Sequence, residues 1–192
     1  MFFFKNHKID KAMAETATQT IWKVDPTHSE ILFKVRHMVI STVTGRFERF
    51  DGTVETEGDR LETARVEFVI DTASVNTGVA DRDNHLRSDD FFNAEKYPQI
   101  RFVSTAFKKI NDQEYELTGN LTIRDVTRPV QLKVEYGGMV KDPWGNTRAG
   151  FVVTGKINRK DFGLKWNMLL ETGGAVVSDE VQVQCAVEFV HS

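Results

Sequence analysis

The chain predicts an all-β protein whose antiparallel strands close into a barrel or stack as a sandwich. Three observations carry this. Bulky apolar residues recur at every second position in segment after segment: Ile31, Phe33 and Val35; Val66, Phe68 and Ile70; Leu117, Leu121 and Ile123; Phe151, Val153 and Ile157; Val181, Val183, Val187 and Phe189. Side chains of a strand alternate between its two faces, so each segment offers one apolar face and one polar face. Turn signals separate the segments at the spacing expected of eight or nine short strands. Helical pattern is scarce, so a sheet with one apolar face must cover itself. Curling into a barrel leaves an interior that a ligand can fill.

The first strand runs from Thr20 to Asp25 and stops at Asp25-Pro26, and the second runs from Ser29 to about His37. Met38 to Thr44 reads as a crossing segment. A third long strand from Gly45 to about Thr56 changes apolar parity between Phe47 and Phe50, which predicts a β-bulge. Glu57-Gly58-Asp59 is a turn, and Leu61 to about Thr72 is the fourth strand. Val79 to Phe92 is the one internal helix, supported by the i,i+4 pairs Asp81–His85 and Asp83–Arg87. Strand returns at Gln99 to Lys108. Glu114 to Arg124 and Pro129 to Tyr136 form a hairpin about Asp125-Val126-Thr127. Gly137-Gly138 and the run Asp142 to Asn146 make a long connection to Thr147–Asn158. A loop with a helical turn, Arg159 to Gly174, leads to the last strand, Asp179 to Val190.

The totals fit one domain, residues 20–192, preceded by a tail of residues 1–19. Of 192 residues, 40% are hydrophobic, enough for a core, and the net charge is −3 with both signs interleaved. No basic stripe marks a nucleic-acid surface. The tail has Phe2, Phe3 and Phe4 followed by lysines, too short and in the wrong order for a signal peptide, and no run approaches a membrane span. A cytoplasmic protein without stable membrane insertion is therefore expected. The tail could form a short helix, and it could contact a second copy, so a homodimer is carried as a partner. Cys185 is the single cysteine; it lies on the apolar face of its strand and reads as a small buried hydrophobe.

The polar chemistry is thin. His7, His28, His37, His85 and His191 show no zinc-like spacing. There is no G-x-S-x-G elbow and no phosphate loop, and no cofactor is expected. His28 follows Asp25 closely, and His85 lies between acidic helix residues. Either could face a ligand head group or serve as the base of a barrel isomerase or hydrolase acting on an apolar chain; each is also an ordinary structural histidine. The glycines read as bends and bulges. Phe162, Trp166, Met168 and Leu169 make the late loop too apolar to face water, so it should plug or lip one end.

Five segments, DPTHSEILFKVRHM, GRFERFDGTVE, DRDNHLRSDDFFNAEKYPQIRFVST, LTGNLTIRDVTRPVQL and VSDEVQVQCAVEF, together resemble the YceI-like family. The resemblance spans about Trp22 to Phe189. It implies an extended eight-stranded antiparallel barrel, similar to lipocalins, with one short flanking helix. It also implies a lengthwise apolar pore that carries or stores a polyisoprenoid, an isoprenoid quinone or a fatty-acid-like lipid. Many family members are periplasmic with a signal peptide; this tail departs from that. Inward parity then places Phe33, Val35, Phe47, Phe68, Ile70, Phe102, Leu121, Ile123, Phe151 and Val153 on the pore wall. Phe91, Phe92, Phe162, Trp166 and Met168 guard an end, with His28, Arg82 and His85 as head-group candidates.

Overall fold

The computed structural model describes residues 18–171 and 175–191. The tail's expected short helix and its contact with a second copy lie outside the described residues. The alternating segments form strands β1 (Gln19–Val24), β2 (Glu30–His37), β3 (Ser41–Phe47), β4 (Phe50–Glu57), β5 (Arg60–Asp71), β6 (Val75–Asn76), β7 (Gln99–Lys109), β8 (Glu114–Ile123), β9 (Val126–Lys141), β10 (Thr147–Asn158) and β11 (Val177–His191). One helix, α1 (Ala80–Arg87), interrupts them.

All pairings are antiparallel. The ring runs β1-β4-β5-β7-β8-β9-β10-β11, and it closes where Lys23 and Val24 of β1 face Val190 and Phe189 of β11. The eight-stranded closed barrel is thus present, with α1 beside it. The β2–β3 hairpin continues the wall along the other half of β11, from Val177 opposite His37 to Ala186 opposite Glu30. Short β6 pairs with the end of β3.

Four local expectations change. The parity switch between Phe47 and Phe50 is a break between two strands: β3 pairs with β2, and β4 pairs with β1 and β5. The backbone at the break bonds to the turn that follows β5, through Glu48 N–H to the Ser74 carbonyl and Arg49 N–H to Ser74 Oγ. The crossing segment after His37 is a tight turn at residues 38–40, and β3 starts at Ser41. Gly137 and Gly138 do not leave the sheet. β9 continues to Lys141, and the register slips by one residue where Gly150 faces Gly138 and Phe151 faces Tyr136. A glycine suits this bulge because Gly138 has φ +117°.

The helix is shorter than Val79 to Phe92 because Ser88 turns to extended backbone. Its Asp83 carboxylate serves the fold instead of an i,i+4 pair. Asp83 is buried and accepts from the Thr77 N–H at 2.8 Å and the Thr77 hydroxyl at 2.6 Å. Arg87 donates to the Ala73 and Val75 carbonyls, which pins the helix to β6. Turns after Ser88 then bury Phe91.

The barrel has two distinct ends. The β4–β5, β7–β8 and β9–β10 turns mark the lower one. There Trp22 is 2% exposed, and its indole N–H donates to Thr56 Oγ1 at 3.0 Å, so a large apolar ring fills the floor without an orphaned donor. The upper end gathers the β2–β3 and β8–β9 turns, α1 and the loop after β10. There a 3-10 turn, Arg159–Phe162, opens the loop as expected.

Candidate functional site: an apolar lumen

Inside the barrel lies a cavity of about 260 Å³. Its wall draws on β2 to β5, β7 to β11 and Leu86 of α1, reaching from Leu61, Phe107 and Leu117 below to Leu164 and Val177 above. So small a volume touching so many strands must be long and narrow. Among the described residues the wall is aliphatic and aromatic, apart from Cys185 and Arg159. Many of its side chains are only half-buried because they face this hollow. Burial pushes the Cys185 thiol up to about 12, so it adds no charge at neutral pH.

Glycine keeps the lumen open. Phe33 lies across Gly45, its pair in the next strand; a Cβ on Gly45 would sit 2.2 Å from the ring. Phe68 lies likewise across Gly52, at 2.3 Å, and Phe102 across Gly119, at 2.4 Å. Each glycine is a notch that lets a ring lie flat against the sheet rather than stand into the barrel. An eight-stranded barrel has room for its own side chains or for one slender ligand. These notches shift that balance toward the ligand.

Of the wall residues expected from parity, Phe33, Val35, Phe47, Phe68, Ile70, Phe102, Leu121, Ile123, Phe151 and Val153 all border the cavity. Phe91 and Phe92 border it as well, at the upper end. The other three end residues do not. Phe162 is 2% exposed and packs behind the wall. Trp166 sits edge-on to His85, with ring centroids 4.7 Å apart, and tilted against Phe91 at 5.4 Å. Met168 points outward, 59% exposed, because the loop turns back at that point as a small hairpin.

Parity reasoning missed Arg159, Gly45, Gly52 and Gly119. Arg159 is 5% exposed and borders the upper lumen. Its guanidinium donates to the carbonyls of Leu164 at 2.6 Å, Trp166 at 2.8 Å and Ser178 at 2.9 Å, and more weakly to that of Val177. It ties the late loop to the start of β11. Nothing in the polar run Asn158-Arg159-Lys160-Asp161 distinguishes the buried cation from its exposed neighbour.

The three head-group candidates are not brought together. His85 and Arg82 stand on α1, whereas His28 lies near the lower end. None of them borders the cavity. His85 Nε2 pairs with Asp90 at 2.8 Å. Arg82 bonds the Thr77 hydroxyl at 2.7 Å and the Thr77 carbonyl at 3.0 Å. His28 Nδ1 meets Asp25 at 2.8 Å.

Asp25 belongs to a network around Arg148, which also bonds Asp142 and Glu188. Donor atoms of Asp25, His28 and Glu188 lie within 4.8 Å of one another. The guanidinium supplies positive charge there, so the cluster is accounted for without a metal. The Thr27 hydroxyl, Arg148 and His28 hold the Asp25 carboxyl well below the usual range. Burial alone would raise Asp142, but bonds from Arg148, Asn146 and the backbone hold it down at about 2. Depressed carboxyls stabilise the fold above their unfolded values, near pH 4, and lose that contribution as pH falls through the folded values. Arg148→Met should therefore lower the melting temperature at pH 7, with a gap to the native chain that narrows between pH ~4 and ~2. An equal gap at pH 7 and pH 2.5 would remove the network's role.

The barrel fold recurs in known proteins. A family model for the YceI-like domain matches residues 22–189. Protein YceI of Escherichia coli O157:H7 is 40% identical over 179 residues, covering 92% of this chain and 90% of that protein. The Campylobacter jejuni YceI crystal structure is 31% identical with a TM-score of 0.71, covering 98% of this chain and 99% of that one. A polyisoprenoid binding domain from Saccharophagus degradans, 19% identical, shares the fold with a TM-score of 0.64, covering 88% and 97% of the two chains. With the family model spanning nearly all of the barrel, the chain belongs to the YceI-like family.

Proposed function

We propose that the chain binds a long, slender apolar molecule in its lumen and carries or stores it, the polyisoprenoid class fitting best. The observation that carries this is a narrow lengthwise cavity with an almost wholly apolar wall, held open by glycine notches. The Saccharophagus degradans domain, described as polyisoprenoid-binding, offers support at the level of fold.

The energetics favour chain length. Each buried methylene contributes about 0.8 kcal/mol, so an isoprene unit contributes on the order of 3 kcal/mol gross. Several units exceed the roughly 4–15 kcal/mol that association costs in lost freedom. Affinity then depends on length and fit, and the head group has little say. No base stands on the wall among the described residues, which favours binding over turnover.

Titration with a fluorescent polyprenol tests the reading. The native chain should bind with one site per barrel. Val153→Asp puts a carboxyl on the lumen wall at a half-buried position where the hollow accommodates it. That variant should keep its far-ultraviolet circular dichroism and lose the ligand, because desolvating the group costs several kcal/mol. Undiminished binding by the folded variant would place the ligand elsewhere.

A further inference from the structure

At the upper end two apolar tips stand side by side. One is the β2–β3 turn, with Met38 40%, Val39 61% and Ile40 87% exposed; the other is the small hairpin after Trp166, with Met168 59% and Leu169 87% exposed. The backbone joins them. Met38 N–H donates to the Val176 carbonyl at 2.9 Å, and Val176 N–H donates to the Met168 carbonyl at 3.0 Å. The next residue, Val177, already borders the lumen. The tips are therefore one continuous apolar edge set directly beyond the cavity wall.

This edge opposes ordinary preference twice. Turn positions with positive φ favour Gly, Asn and Asp. Here Met38 has φ 50° and Val39 has φ 64°, and a β-branched residue in that region is a true outlier. The strained backbone also holds large apolar side chains in water, and they cluster where scattered single exposures would be unremarkable.

We propose that these tips dock the barrel on a lipid bilayer, inserting to about headgroup depth so that the upper end of the lumen meets the membrane. The proposal rests on the lumen holding an apolar chain, since such molecules reside in bilayers. Size argues against a second protein copy: five side chains fall far short of the roughly 20–30 residues a side in a stable interface. Arg36 and Lys165 are exposed nearby, but so are Asp161 and Glu171. Apolar insertion, not attraction to anionic lipid, is then the main contribution.

Flotation of the full chain with pure phosphatidylcholine vesicles tests this. The native chain should float with the vesicles, and the double variant Ile40→Asp, Leu169→Asp should lose about tenfold of the bound fraction. Both positions are exposed, so folding should persist. Equal flotation of both chains overturns the proposal, as does no flotation of either. Vesicle-independent dimers that the double variant dissolves overturn it too, in favour of a contact between copies. Binding of a long polyprenol without vesicles tests the lumen separately. Its failure beside tip-dependent flotation would retire the lumen reading and leave the docking surface standing.

Discussion

Gly45→Val combined with Gly52→Val should leave a folded barrel that has lost most of its affinity for long isoprenoids. Neither glycine has positive φ, so a β-branched residue suits the strand backbone at both positions. What it does not suit is the ring above. A Cβ would lie 2.2 Å from Phe33 and 2.3 Å from Phe68, and real atoms do not approach so closely. The sheet blocks one direction, so each ring must swing toward the lumen. A ring standing there excludes roughly one isoprene unit, worth on the order of 3 kcal/mol, or about a hundredfold in affinity per ring. Titration with a polyprenol length series should show the longest chains losing most. Restoring the space with Phe33→Ala and Phe68→Ala in the same chain should recover binding. Unchanged affinity across the series would mean that the notches do not set the bore. Gly119 is unsuited to this test, because its added Cβ would also lie 2.6 Å from the Val103 carbonyl oxygen and disturb the sheet itself.

The same positions show where sequence reading succeeds and stops. Alternation fixes which face of a strand turns inward, so an all-β barrel or sandwich and the inward placement of residues such as Phe33, Phe102 and Val153 were legible from period alone, and the family resemblance chose the barrel. Period says nothing about which strand lies beside which. Gly45 and Gly52 therefore looked like bends until pairing placed them under Phe33 and Phe68. The parity switch before Phe50 has the same cause: a bulge and a strand break leave one signature, and only the partners of β3 and β4 separate them. The late loop was legible as apolar, but its fold back on itself was not. That fold turns Trp166 inward toward His85 and Met168 outward. His28 and His85 looked equivalent in sequence, yet the strands carry them toward different ends of the barrel.

Arg159→Met should be the most destabilising single change at the upper end. The native guanidinium serves four carbonyls on two segments through its three nitrogens: Leu164 and Trp166 in the late loop, and Val177 and Ser178 at the start of β11. Burial pulls its pKa down, partly offset by Asp179, yet arginine remains charged. Methionine fills similar space and leaves the Leu164, Trp166 and Ser178 carbonyls without this donor, while Val177 keeps the Asn167 side-chain amide at 2.8 Å. Each unsatisfied buried group costs about 1–3 kcal/mol, and water can reach some of them, so a loss of roughly 3–5 kcal/mol is expected. Urea denaturation should show this as a lower midpoint with an unchanged slope. Arg159→Lys should recover only a part, because one ammonium cannot fork to carbonyls on both segments. The loss should also be local before it is global. Amide exchange at the Met38 and Val176 N–H groups should accelerate well below the unfolding midpoint, since Arg159 shares with Asn167 the fastening of the late loop to β11. If the midpoint moves by less than the error of the measurement, the buried cation is no more than a passenger, and the upper end is held by the Asn167–Val177 bonds, Leu164, Phe162 and the strand ladder.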